Sequence, residues 1–425
     1  MPLTLLRRLA DNGTLKSLGP GLITGAADDD PSGIATYSQA GAQLGFNGLW
    51  TLALTWPFMV GIQLVSARIG RVTGRGLAAN IRRAYPPWLL YTVVILLLAA
   101  NVINIAADVA AMGEALRLAL GRGTAHLYSL GFGVVCLLLQ VFLSYSTYVR
   151  YLKWLTLALL SYVATAFAVH VDWSEALART VWPLIAPSKD TVPLVVAIFG
   201  TTISPYLFFW QASQEVEEIR SAPHTRALRS RPPDAAAQLT RIKRDTVVGM
   251  AFSNLVAWFI MLTTAATLGT HGITNIVSSS QAAEALRPLA GEFAFLAFAV
   301  GIIGTGMLAV PVLAGSSAYA VTESFRWRSG LDLKLMEARG FYGIVAFATL
   351  GGALLDFAPF DPIAALVLSA QINGVIAVPV MVVMMLLARN RKIMGKYTLS
   401  RRHTIVGWCG VAVMLAACVA MFAMS

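Results

Sequence analysis

The stretch Gly19–Gln43, GPGLITGAADDDPSGIATYSQAGAQ, constrains this chain more than any other. It is apolar and of membrane length, yet Asp28, Asp29, Asp30, Pro31, Ser32 and Gly33 interrupt its centre. A carboxylate in mid-bilayer costs at least a few kcal/mol, so acids at that depth mark a functional site. Pro31 lacks an N–H and Gly33 is a weak helix former, so the helix is expected to unwind where the acids sit. Unwound backbone is tolerated in a membrane only where it lines a cavity or is buried in protein. The first half-helix is expected to end near Ala27 with bare carbonyl oxygens. Carbonyl dipoles beside carboxylates make a site for a cation.

With 57% hydrophobic and 12% charged residues and a mean hydropathy of +0.68, the chain is a polytopic membrane protein rather than a soluble enzyme. Spans of ~20 apolar residues are expected at about 15–44, 47–67, 87–116, 124–146, 151–170, 191–219, 246–269, 290–323, 339–356, 361–388 and 403–424. The net charge of +11 invites a nucleic-acid reading, which the distribution of the charge excludes. With an inside N-terminus, the cytoplasmic segments hold all of the 32 lysines and arginines except Arg117, Arg122, Arg179, Lys189 and Arg287. The positive-inside rule therefore gives an inside N-terminus and, with eleven spans, an outside C-terminus. Cys136, Cys409 and Cys418 lie in apolar stretches without metal-ligand spacing and read as small buried hydrophobes. No signal peptide is visible.

Asn101, Asn104 and Asp108 in the third span are spaced i, i+3, i+7 and share one helical face. Interhelical hydrogen bonding and an ion or water pathway are equally good accounts of them. The five histidines, His126, His170, His224, His271 and His403, fall at span ends or in loops, which argues against a histidine proton wire. Segment 170–183 reads as an external, partly amphipathic piece, and 269–292 as a long external loop. The Pro/Arg-rich segment 221–244 reads as a cytoplasmic linker with little fixed structure.

The sixth span repeats the device of the first, with Gly200, three hydroxyls and Pro205 at the centre of GTTISPY. Two interrupted helices at corresponding positions of successive five-helix halves point to an inverted-repeat transporter with its site at the midplane. The expected division is 1–170, 171–388 including the linker, and an added eleventh helix in 389–425. Gln371 and Asn373 are the polar residues of the tenth span and are candidates to face the site.

Taken together, these helices resemble the Nramp family of divalent metal-ion transporters. GPG at Gly19–Gly21, DPSG at Asp30–Gly33 and QAGAQ at Gln39–Gln43 match the family's first-helix pattern in order and spacing. The exit of the second span, ARIGRVTGRGLA at Ala67–Ala78, is also similar. The resemblance implies an all-α, LeuT-type fold of two inverted five-helix repeats with broken first and sixth helices. It also implies a metal site built from Asp30, the residue at Gly33, the Thr201 carbonyl and the residue at Ser204. Departures from the pattern carry their own implications. Gly33 replaces an Asn, Ser204 a Met and Tyr206 a His, while in the third helix Asn101 and Ala111 replace acids and Asp108 is kept.

Loss of a thioether, a soft ligand, leaves an oxygen-only acidic site that suits hard ions. Mg²⁺ binds through one or two carboxylates and keeps several waters. The substitutions resemble those of a prokaryotic branch, the Nramp-related magnesium transporters, which implies a bacterial inner membrane. Mg²⁺ is thus the first expectation, with Mn²⁺ as an additional or alternative ion. Asp30 is the expected direct ligand, Asp28 or Asp29 would touch the hydration shell, and Thr202, Tyr206 and Asp108 would stand behind them. With few titratable groups on the route, transport is expected to be weakly proton-coupled or uncoupled, driven by the membrane potential. A divalent ion gains ~4.6 kcal/mol per 100 mV. No cofactor and no obligate protein partner is expected; the ion is cargo and the lipid bilayer the surroundings.

The main alternative is a proton-coupled Mn²⁺/Fe²⁺ symporter of the ordinary Nramp type. A sodium-coupled carrier of organic solutes would want a gap without acids. An intramembrane aspartyl protease would need a second midplane Asp in a Gly-x-Gly-Asp context, which the chain lacks.

Overall fold

The first span does break at the acids. In the computed structural model, α1 (Pro20–Asp28) ends and α2 (Pro31–Leu44) begins with two residues, Asp29 and Asp30, between them. Pro31 opens α2, where its missing N–H costs nothing and its fixed φ is already helical. Asp30 is the N-cap, and its Oδ1 accepts the Gly33 N–H at 2.6 Å, satisfying one of the open donors of the first turn. The sixth span is built the same way. There α9 (Thr191–Thr202) stops, Ile203 and Ser204 lie between, and α10 (Pro205–Ser221) starts on a proline.

The structure describes residues 20–143, 159–184, 188–221, 226–230, 235–276, 279–287, 291, 294–357 and 361–424. Between the breaks run α3 (Trp50–Thr73), the short α4 (Leu77–Ala84), α5 (Pro87–Leu120), α6 (Ala125–Phe142), α7 (Leu160–Ala168) and α8 (Trp173–Val181). After the second break come α11 (Ala235–Thr267), α12 (Ser279–Glu284), α13 (Ala294–Phe325), α14 (Arg339–Leu355), α15 (Pro362–Arg389), α16 (Arg391–Met394) and α17 (Arg401–Met424). Among the described residues, eight helices are long and apolar enough to cross a membrane. The other three expected spans differ in kind. The first is the broken α1–α2 pair, the fifth falls partly outside the described residues, with α7 as its described helix, and the ninth is the 17-residue α14.

Packing is reciprocal between the two halves of the chain. The α1–α2 pair lies on α11, α10 lies on α3, and α5 lies along α13. Glycines allow the closest approaches. A side chain at Gly200 would run into the Ala370 carbonyl and the Gly374 backbone of α15, and one at Gly25 into the Gly249 backbone of α11. Small residues at such crossings let helices in a membrane gain van der Waals contact.

The expected linker 221–244 is only partly a linker, because α11 begins at Ala235, well before the expected span. Residues 235–244, AAAQLTRIKR, combine strong helix formers with side chains that bond to neighbouring helices, so polarity there marks a helix end and not a loop. Segment 170–183 carries the amphipathic α8, as its pattern suggested, and segment 269–292 holds α12.

Candidate cation site between the two broken helices

The two breaks face one another. A Cβ added to Gly33 would lie 3.2 Å from Thr201 Oγ1 and 3.4 Å from both the Asp28 carbonyl and Asp30 Oδ1. Tyr206, in the first turn of α10, reaches back and donates to the Ala27 carbonyl at 3.2 Å and to Asp30 Oδ2 at 3.5 Å. Tyr37 on α2 pairs with Thr202 Oγ1 at 3.3 Å across the same gap. Asp28, Asp29, Asp30, Thr201 and Ser204 are each no more than 3% exposed. This conformation therefore closes the gap to water.

Asp30 is the hub. Its Oδ1 is committed to the Gly33 N–H, and its Oδ2 also accepts from Asn104 Nδ2 of α5 at 3.0 Å. The same Asn104 amide reaches Asp108 Oδ2 at 3.4 Å, and Asn104 Oδ1 accepts the Ser369 hydroxyl of α15 at 2.8 Å. Ser369 in turn pairs with Ser32, next to the break, at 3.1 Å. The third-span polar face makes hydrogen bonds to other helices at two depths. Asn104 and Asp108 join the site, while Asn101 bonds to Ser316, Ser317 and the Leu313 carbonyl of α13.

Several expectations about the site need correcting. The Ala27 carbonyl is not bare, because Tyr206 occupies it. The Thr201 carbonyl accepts the Ser204 hydroxyl at 2.8 Å, as does the Gly200 carbonyl; this orients the Ser204 Oγ and leaves its lone pairs free. Asp28 and Asp29, the residues expected to touch the hydration shell, turn toward α11. They converge on one hydroxyl, that of Ser253 in α11, at 2.7 and 3.0 Å, and Asp28 Oδ1 has no partner among the described residues. Among the described residues no three His, Cys, Asp or Glu side chains gather as a metal cluster. Thr202 donates to the Ile198 carbonyl in its own helix.

The tenth-span candidates separate as well. Gln371 lines a cavity of about 400 Å³ with Gln39, Gln43, Asp190 and Asp361, on the side of the loop residues Asn275 and Ile276. It belongs to a vestibule, away from Asp30. Asn373 is buried, and its Oδ1 has no hydrogen-bond partner among the described residues.

Ser253, Ser369 and Tyr37 are contacts that sequence reasoning missed. Ser253 and Asn254 form a polar pair inside an apolar span, a signal available in the chain but shared with many packing residues.

At the end opposite the vestibule, charges knit the helices together. Arg71 of α3 bonds Glu218 at 3.0 Å and Gln238 at 2.8 Å, and Arg241 of α11 bonds Glu215 at 3.0 Å and Glu218 at 2.6 Å. Asp245 Oδ2 holds the Gly21 N–H at the start of α1 at 2.7 Å. These contacts tie α1, α3, α10 and α11 shut.

A family model described as natural resistance-associated macrophage protein-like matches residues 21–424. The chain belongs to the Nramp family. Among its relatives are proteins named divalent metal cation transporter MntH. The one from Acidiphilium cryptum is 28% identical, covering 93% of this chain and 87% of its own; that from Deinococcus radiodurans is 26% identical, covering 95% and 88%. The fold is similar to that of the Eremococcus coleocola manganese transporter, with TM-score 0.73 at 16% identity over 97% of this chain and 87% of that one. It is also similar to Mhp1, a nucleobase-cation-symport-1 family transporter, in a closed conformation, with TM-score 0.59 at 13% identity over 96% and 92%. This Nramp chain is thus an all-helical membrane protein with LeuT-like neighbours.

Proposed function

We propose that this protein imports divalent metal cations, taking Mn²⁺ and Mg²⁺ through an oxygen-lined site between its two broken helices. One observation carries the proposal: Asp30, buried at the first break, is joined through Tyr206 to the second break and through Asn104 to α5. The ion would displace the Tyr206 hydroxyl from Asp30 Oδ2 and meet the Ser204 Oγ and the backbone carbonyls at the half-helix ends. Carboxylate, carbonyl and hydroxyl oxygens suit Mg²⁺ and Mn²⁺ better than soft metals. The names of the MntH and manganese-transporter relatives favour Mn²⁺; the Ser204 position, where the family pattern has a thioether, favours admitting Mg²⁺ as well.

The halves 1–170 and 171–388 would rock against each other about this site, the closed ionic layer around Arg71 alternating with closure of the vestibule around Gln371. The basic layer would face the cytoplasm of a bacterial inner membrane, with the N-terminus inside and the C-terminus outside. Uptake would be weakly coupled to protons or uncoupled.

A second reading, proton-coupled Mn²⁺ symport, is favoured by the relatives' names and by one contact. Asn104 bridges Asp30 to a second buried acid, Asp108, which could take a proton. Proteoliposomes offered Mn²⁺, Mg²⁺ and Cd²⁺ in parallel, with internal pH recorded, separate the two. The proposal expects Mn²⁺ and Mg²⁺ entry, little Cd²⁺ entry and a steady internal pH. Cd²⁺ entry outrunning both would refute the oxygen-site reading. Internal acidification that follows Mn²⁺ entry would establish the symporter instead.

A further inference from the structure

Away from the cation site, α3, α11 and α17 leave a groove on the membrane-facing surface. Its apolar part, about 350 Å³, is lined by Trp56, Val60, Leu64, Val247 and Val406. A second hollow of about 200 Å³ continues from it, sharing Leu64 and His403 and reaching Arg68 and Lys243. Arg402 stands at the rim of the first. The arrangement is polarised: hydrocarbon along its length and cationic groups at one end only. Among the described residues, no carboxylate lines either part.

The cations here are unlike their neighbours. Arg71, one helical turn further along α3, is engaged by Glu215, Glu218 and Gln238. Among the described residues, Arg68 makes a 3.4 Å contact with the Tyr397 carbonyl, and its buried Nε has no hydrogen-bond partner. A guanidinium with an open face in a half-buried hollow is suited to a phosphate oxygen. The dimensions also fit. Twelve residues of α3 separate Arg68 from Trp56, a rise of about 18 Å, close to half the ~30 Å hydrocarbon thickness of a bilayer.

We propose that this groove is a binding site for an anionic phospholipid. The phosphate rests among Arg68, Lys243 and His403, and an acyl chain lies along Val60 and Leu64 between α3 and α17. Basic pockets between transmembrane helices on the basic side of a membrane recruit anionic headgroups in this way. Gly61 belongs to the design, because a side chain there would meet Val406 at 2.7 Å and disturb the α3–α17 contact that forms the groove floor.

The test uses the full chain, purified in detergent. Native mass spectrometry titrates it with phosphatidylglycerol or phosphatidylcholine of matched chains, with inorganic phosphate and sn-glycerol 3-phosphate as headgroup-only arms. The expected result is at least about tenfold tighter retention of phosphatidylglycerol. The R68Q/K243Q variant should lose that preference, and neither headgroup-only ligand should compete at millimolar concentration. Because Arg68 is half-buried, the exposed pair K243Q/R402Q serves as a second variant, expected to weaken the preference about threefold or more. Phosphatidylglycerol carrying a photoreactive acyl chain should label peptides spanning 56–68 and 401–410 of the unaltered protein. Equal retention of both lipids, labelling confined to other helices, or displacement by free phosphate would each overturn the proposal; the last would make the site one for free anions.

Discussion

The Asn104 amide donates to Asp30 Oδ2 at 3.0 Å and lies 3.4 Å from Asp108 Oδ2, so one neutral side chain separates two buried carboxylates. Hydrogen bonds to charged groups contribute about 1.5–3 kcal/mol, and 1.4 kcal/mol is a tenfold change in affinity. Asn104→Ala is therefore expected to raise the KM for Mn²⁺ about tenfold or more. Asn104→Asp places a third acid against the other two and should impair uptake further. An unchanged KM in both variants would mean that the contact does not shape the site.

Asp30 has two duties that substitution can separate. It caps α2 through the Gly33 N–H, and its carboxylate is the charge at the junction of the two breaks. Asn caps as well as Asp does, whereas Ala at an N-cap costs about 1 kcal/mol. Asp30→Asn should therefore keep the melting temperature of the parent yet abolish cation uptake. Asp30→Ala should lose uptake and melt lower. Uptake by Asp30→Asn near the parental rate would remove Asp30 from the ligands.

How much of this was legible in the chain follows from the range of the interactions. The break at Asp30 is a local matter of Pro31, Gly33 and a capping carboxylate, all within four residues, and reading along the chain finds it. The second break at Ser204 was legible for the same reason, with Pro205 opening α10. The convergence of Asp28 and Asp29 on Ser253 spans more than 220 residues of sequence and depends on how α1 lies on α11, which no local pattern encodes. Gln371 was left a candidate because one polar residue does not set the rotation of a helix. Only the neighbours Asp361 and Asp190 reveal that it faces the vestibule. The residues 235–244 looked like linker because they are polar, yet Gln238 and Arg241 among them bond to side chains of neighbouring helices.

Ser253 offers one hydroxyl proton to two carboxylates, and Asp28 Oδ1 is already without a partner among the described residues. Ser253→Ala leaves further buried acceptors unsatisfied, at about 1–3 kcal/mol. The variant is expected to melt lower and to carry Mn²⁺ more slowly, and Ser253→Thr should restore both. Single alanine substitutions at Asp28 and Asp29 should weaken uptake without abolishing it. A Ser253→Ala protein indistinguishable from the parent in melting and uptake would show that α11 is a bystander.

The ionic layer near Arg71 makes a prediction about motion. Asp245 holds the Gly21 N–H, and Arg71 and Arg241 hold Glu215 and Glu218. Asp245→Ala releases the start of α1. A bond to a charged group lost at about 1.5–3 kcal/mol corresponds to amide hydrogens of residues 21–28 exchanging about tenfold faster or more. Arg71→Met, which leaves Glu215 with Arg241 alone, should speed exchange in the same segment. Exchange of α1 that ignores both substitutions would mean that the layer does not hold this end closed.

Ser204 makes the choice of metal testable with one side chain. Its Oγ donates to the Gly200 and Thr201 carbonyls at 2.8 Å, which turns its lone pairs away from its own helix end. Ser204→Met removes that hydroxyl and supplies the thioether of the family pattern, a ligand that prefers soft metals. Cd²⁺ uptake should rise about tenfold or more relative to Mg²⁺, with Mn²⁺ uptake retained. Gly33→Asn, whose Cβ would sit 3.2 Å from Thr201 Oγ1, must push that hydroxyl aside by a few tenths of an ångström. With both substitutions together, Mg²⁺ uptake should fall below that of either single variant, because added direct ligands strip water from an ion that holds it strongly. A doubly substituted protein with the parental order of Mg²⁺, Mn²⁺ and Cd²⁺ uptake would place selectivity elsewhere in the fold.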